Sequence, residues 1–170
     1  MNELQQITSN FKIDGEVESI ESFGGGLIND TYKVKTKGDA TPDYILQRIN
    51  HNIFKNVDML QSNIIEVTSH IRKKLIEKNT KDIERKVLEF VPSNDGKYYY
   101  FDGKNYWRVM RFIPDADTFD TVNPTYAQFA GEAFGNFQAM LADIPTELGE
   151  TIPNFHNMEF RLEELEHALQ

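Results

Sequence analysis

Three kinds of residue at telling positions could do chemistry in this chain: consecutive glycines at Gly24, Gly25 and Gly26, a cation at Arg48 and a carboxylate at Glu66. The glycines lie between two apolar–polar alternations, residues 17–23 and 31–35, whose period of two reads as half-buried strand. Glycine tolerates positive φ and lets a backbone come close to a ligand. Together with the amides of Leu27, Ile28 and Asn29, the hairpin tip is a run of fixed N–H donors suited to phosphate oxygens. The plain alternative is a mobile hairpin. No Gly-Lys-Ser/Thr follows, and the tip does not open a helix, so neither the Walker-type loop nor the dinucleotide fingerprint is present. Arg48 closes a third strand, Tyr-Ile-Leu-Gln-Arg at 44–48, and a guanidinium can hold two phosphate oxygens at once. The plain alternative is a surface-strand arginine. Glu66 lies within a long helical pattern at 55–77 and is the best helix partner for that cation; otherwise it is a solvated carboxylate.

Glycine loop, strand with a cation, then helix with a carboxylate is the order found in protein kinases, where the cation positions phosphates and pairs with the helix carboxylate. Longer motifs carry a closer likeness. Gly-Gly-Gly-Leu-Ile-Asn-Asp-Thr-Tyr at 24–32, Tyr-Ile-Leu-Gln-Arg-Ile-Asn-His-Asn-Ile-Phe-Lys-Asn at 44–56 and Trp-Arg-Val-Met-Arg-Phe-Ile-Pro at 107–114 resemble the aminoglycoside phosphotransferase/choline kinase superfamily. Within it they most resemble the N-acetylhexosamine 1-kinase group, as does Thr-Ile-Pro-Asn-Phe-His-Asn at 151–157.

The resemblance implies a kinase-like α+β fold: an N-terminal lobe of antiparallel sheet plus one long helix, followed by the first helices of an incomplete helical lobe. It implies ATP and Mg2+ as the reaction's requirements. It puts Arg48 in the third-strand cation's place, Met110 at the gatekeeper position and Arg111, Phe112 and Ile113 in the hinge, with Leu46 and Ile28 against the adenine. His156 and Asn157 would border the acceptor, although a structural turn explains them as well. The implied reaction is transfer of the ATP γ-phosphate to a hydroxyl of a small molecule, an N-acetylhexosamine first, with an aminoglycoside, choline or homoserine as alternatives. Residues 115–170 hold no catalytic-loop Asp with a nearby Asn and no metal-binding Asp in the expected pattern. The chain is therefore read as the N-terminal part of a longer kinase, inactive alone, with the Mg2+ ligands expected beyond residue 170. The reading from another class is a non-catalytic nucleotide-binding or interaction module.

The elements that must position these residues follow from periodicity. An arm or short helix is predicted at 1–13, strands near 16–23, 31–37 and 43–49, and a helix over 56–78 with Val57, Leu60, Ile64, Val67, Ile71 and Leu75 on one face. Asn56 is its predicted cap and Asn79 its end. Strands follow at 87–91, 97–101 and 105–112, with a tight hairpin at Asp102-Gly103. Residues 1–113 form the predicted nucleotide-binding lobe. Residues 114–170 form a linker and helices near 124–142 and from about 158, with Pro124 in a first turn.

A formal net charge of −9 argues against nucleic acid and anionic membrane as partners. The aromatic run at 98–101 is explained by strand, not base stacking. No cysteine excludes disulfides and thiolate chemistry. No signal-peptide core or membrane-length apolar run is present, so a cytoplasmic protein is expected. His51, His70, His156 and His167 lack ligand spacing, and Asp115, Asp117 and Asp120 lack the remaining ligands of a calcium loop, so these aspartates read as solvated linker and helix cap. The expected partners are a nucleotide and a small-molecule acceptor. Self-association through apolar faces of the last two helices is expected as well.

Overall fold

Alternation along the strands decides how the chain is layered. The computed structural model describes residues 2–119 and 121–169; Asp120, read above as linker or cap, and Gln170, the last residue of the final predicted helix, lie outside them. The strands are β1 (Val17–Ser22), β2 (Asp30–Thr36), β3 (Tyr44–Ile49), β4 (Phe90–Val91), β5 (Tyr100–Phe101) and β6 (Tyr106–Arg111). They form an antiparallel sheet in the order β1-β2-β3-β6-β4, with β5 paired to the first residues of β6. The α-helices among the described residues are α1 (Glu3–Thr8), α2 (Val57–Glu77), α3 (Pro124–Leu141) and α4 (Met158–Ala168). The architecture is the expected α+β, an antiparallel sheet plus one long helix.

Each face of the sheet buries its own set of side chains. On one face Val34, Tyr44, Leu46, Trp107 and Val109 pack with Ile7 and Phe11 of the N-terminal arm. On the other, Ile45, Met110 and Phe90 pack under Ile64 and Ile65 of α2, and Ile49 packs with Val57 and Leu60. The first is the arm face of the sheet and the second its helix face. Successive strand residues alternate between them, as the pleat requires. Asn2 caps α1 in a reciprocal box with Gln5. Asn56 accepts from the amide of Met59 to start α2, and Asn79, at φ 52°, ends it in the left-handed region.

Boundaries differ where hydrogen bonding outweighs pattern. β4 and β5 have two residues each, because residues 87–89 and 97–99 leave the ladder. A 3-10 turn at Ile83–Arg85 is not signalled by periodicity. Its Arg85 donates to the carbonyls of Pro114 and Asp115, fixing the start of the linker. Asn123, not a linker aspartate, caps α3. Asp115 and Asp117 are exposed, as expected of a linker.

Beyond the linker, burial drops. α3 and α4 contain no buried residue. Only the C-terminal end of α3 docks: Met140 and Leu141 pack against the Ile71, Leu75 and Val87 cluster. Lys74 donates to the carbonyl of Met140 at 2.8 Å and pairs with Asp143. Phe129, Phe134 and Phe137 stay exposed.

Candidate functional site

β1 and β2 meet in the predicted glycine turn. Gly24 takes φ +72°, a conformation that favours glycine, and Leu27 and Ile28 are exposed. Asn29 ties the turn down by accepting from the amide of Asn50 at 2.9 Å. The tip therefore stands at the β1–β2 end of the sheet, anchored to the residue after β3.

Arg48 and Glu66 are not brought together. Arg48 pairs with Trp107 across the ladder, which puts it on the arm face, whereas α2 lies over the helix face. Its Nε donates to Asp30 Oδ2 at 2.5 Å, and Nη1 reaches Asn105 Oδ1 at 3.4 Å. With Ile28, Asn50 and His51 it lines a cavity of about 120 Å³. Glu66 accepts instead from the Thr146 hydroxyl at 3.1 Å. Leu46, expected against an adenine, is fully buried in the arm-face core. The reason is one residue of pleat: Ile45 and Met110 point to the helix face, so Leu46 and Arg48 point away.

Met110 lies on the helix face, opposite Ile45 and beside Phe90. The amides of Arg111 and Phe112, expected as hinge, are already engaged, donating to the carbonyls of Glu89 and Asp43 at 2.8 and 2.9 Å. Phe112 carries the Lys33 ammonium 4.1 Å over its ring and meets Phe23 edge-on. A cavity of about 580 Å³ opens here, bordered by Lys33, Asp43, Arg111, Phe112 and Pro114. That is the size range of small-molecule sites. Asn157 is spent as the cap of α4, accepting from the amide of Phe160, and His156 stacks edge-on with Phe155. These contacts make 154–157 a structural turn.

Alternation brings other residues to the helix face. Thr31, Gln47 and Arg108 lie in one cross-strand row over β2, β3 and β6, one step along from the row Lys33, Ile45, Met110. Gln47 Nε2 donates to Thr31 Oγ1 at 3.0 Å. Arg108 donates from Nε and Nη2 to Gln47 Oε1 at 3.0 and 2.9 Å, and from Nη1 to Gln61 Oε1 of α2 at 3.2 Å. Gln61 is buried, and its own amide donates to the carbonyl of Tyr98. Burial pushes the Arg108 guanidinium down to about 10. The available signal was a single arginine inside the apolar run Trp107–Met110, which the hinge reading passed over.

Among the described residues, no three His, Cys, Asp or Glu side chains converge as metal ligands. No Mg2+ site is assigned to them. Among the described residues, no helix is long and apolar enough to cross a membrane.

No family profile matches this chain. Among solved structures it is similar to the crystal structure of spectinomycin phosphotransferase, APH(9)-Ia, in complex with ADP and spectinomycin. The TM-score is 0.49 and the identity 11%, over 86% of this chain and 39% of that one. The chain thus spans well under half the length of that protein.

Proposed function

We propose that this chain is the nucleotide-binding lobe of an ATP-dependent small-molecule phosphotransferase. The observation that carries the reading is the cavity of about 580 Å³ at Phe112, bordered by Lys33 and Lys35 of β2, the strand that leads away from the glycine turn. The antiparallel sheet with one long helix packed over it is the kind of lobe the sequence resemblance implies. Adenine would sit against Phe112 and Ile45, with Ile113, whose amide makes no hydrogen bond among the described residues, as its main-chain donor. Phosphates would run along the strands toward Gly24–Gly26. ATP supplies the transferred phosphoryl group; this chain's residues bind and orient the donor, which is most of what such catalysis asks of a protein.

The finer reading is an N-acetylhexosamine as acceptor, its anomeric hydroxyl receiving the phosphoryl group. It rests on the sequence likeness at 24–32, 44–56 and 151–157. We also propose a cytoplasmic location. The test is paired. Titration calorimetry of the chain should show ATP and adenosine binding, and a coupled ADP-release assay with N-acetylglucosamine or N-acetylgalactosamine and Mg2+ should show no turnover. Absence of nucleotide binding would overturn the reading. Magnesium-dependent turnover by the purified chain would overturn the view that its catalytic groups lie elsewhere. Binding without turnover in the longest natural form of the protein would favour the non-catalytic module.

A further inference from the structure

We propose that Arg108, and not Arg48, is the cation that meets the phosphates of the bound nucleotide, with Gln47 and Gln61 as the residues that position it. This rests on the nucleotide-lobe reading above and assigns a binding residue within that site. Three observations carry it. Arg108 lies on the helix face, in the row between the Ile45–Met110 pair and the glycine turn, while Arg48 lies on the opposite face against Asp30. Two residues along a strand cover about 6.6 Å, the step a ribose makes between a base at the hinge cavity and its first phosphate.

Second, Arg108 has no anionic partner. Lys33 and Lys35, which also face the helix side, are neutralised by Asp43 and Glu18 at 3.1 and 2.8 Å. Among the described residues no carboxylate oxygen comes within ion-pair distance of Arg108; its partners are two neutral amide oxygens. A partly buried cation held only by neutral groups keeps most of its desolvation cost. An anion arriving from solvent offsets it. Third, the hydrogen bonds to Gln47 and Gln61 use three of the five guanidinium N–H groups and leave one on each terminal nitrogen. Each of the two remaining donors can go to a phosphate oxygen. In a kinase-like lobe a helix carboxylate holds a strand lysine; here a helix amide, Gln61, holds a strand arginine, and the cation's charge stays free for the ligand.

The experiment is calorimetric titration of the chain and its Arg108→Gln, Arg108→Lys and Arg48→Gln variants with ATP and with adenosine, folding being checked by circular dichroism. ATP affinity is expected to fall about 10–100-fold in Arg108→Gln, with adenosine affinity unchanged. Arg108→Lys should recover part of the loss, and Arg48→Gln should bind both ligands like wild type. Should Arg108→Gln not fold, phenylglyoxal modification of the wild-type chain read by peptide mass spectrometry takes its place. ATP, but not adenosine, should then shield Arg108. Equal ATP and adenosine affinities in wild type, an ATP affinity kept in Arg108→Gln, or Arg108 modified equally with ATP bound would overturn the assignment and leave the nucleotide-lobe reading standing. A wild-type chain that binds neither ligand would overturn both.

Discussion

Asp102 shows how much one side chain can organise. It follows β5 in the Asp-Gly turn, and its carboxylate accepts from the amides of Lys104 and Asn105 at 2.7 and 2.6 Å and from the Trp107 indole at 2.6 Å. Burial by itself would raise its pKa, but the N–H groups of Asn105, Trp107 and Lys104 outweigh it and hold the carboxyl below its ordinary range. The folded chain therefore binds this proton more weakly than the unfolded one. The stability involved is present above about pH 4, the ordinary carboxylate value, and is lost as pH falls through the lower folded value. Asp102→Ala should cost about 1–3 kcal/mol at neutral pH by leaving the indole and two amides without their acceptor. Asp102→Asn should flatten the acid limb of the Tm–pH curve. If that limb keeps its wild-type slope in chemical and thermal melts, the carboxylate is not what holds the turn. The same scale explains why Arg48 was legible as a cation but not as a partner of α2: residue type is written in the sequence, whereas the face depends on which neighbour enters the core.

At the scale of elements, α2 does two jobs. Its inner side covers Ile45, Met110 and Phe90, and its outer side receives the segment after α3. Asn63 grips Gly149 from both sides, donating to its carbonyl at 2.6 Å and accepting from its amide at 3.0 Å. Gly149 comes so close that a Cβ there would run into the Met59 side chain. Asn63→Ala should release residues 144–150 without melting the sheet. Hydrogen exchange should then quicken in that segment and at the C-terminal end of α3, with global stability lowered by about 1–2 kcal/mol. Uniform quickening throughout the sheet would mean that the two parts unfold as one unit. These side-chain clasps span about eighty residues of sequence, and no local pattern announces them.

For the whole molecule, the two parts differ in how they are stabilised. The sheet and α2 enclose a core, while α3 and α4 leave Phe129, Phe134, Phe137, Leu162 and Leu165 exposed. Burying one such side chain is worth about 1.5–3 kcal/mol, and contiguous exposed apolar surface tends to find a partner. The isolated chain is expected to self-associate through these helices at high micromolar concentration. Light scattering over a dilution series would read it, and Phe134→Glu with Phe129→Glu should restore the monomer. A monodisperse wild-type chain that binds no hydrophobic dye would count against the exposed face.

The sequence by itself determined the main helices and strands, the ends of α2, the glycine turn and the hairpin order, because these depend on residues a few positions apart. Asn56, Asn157 and Pro124 take helix-end positions for reasons that need no tertiary partner. Only the tertiary structure decided which residues share a face. A pleat of period two makes Gln47 and Arg48 equally good candidates until Ile45 and Met110 are seen to pack under α2. That packing turned Arg48 to Asp30 and Leu46 into the arm-face core, and it gathered Gln47, Gln61 and Arg108 from three separate elements. Their meeting depends on strand register and on the angle at which α2 crosses the sheet, and both are set by the summed burial of side chains far apart in sequence.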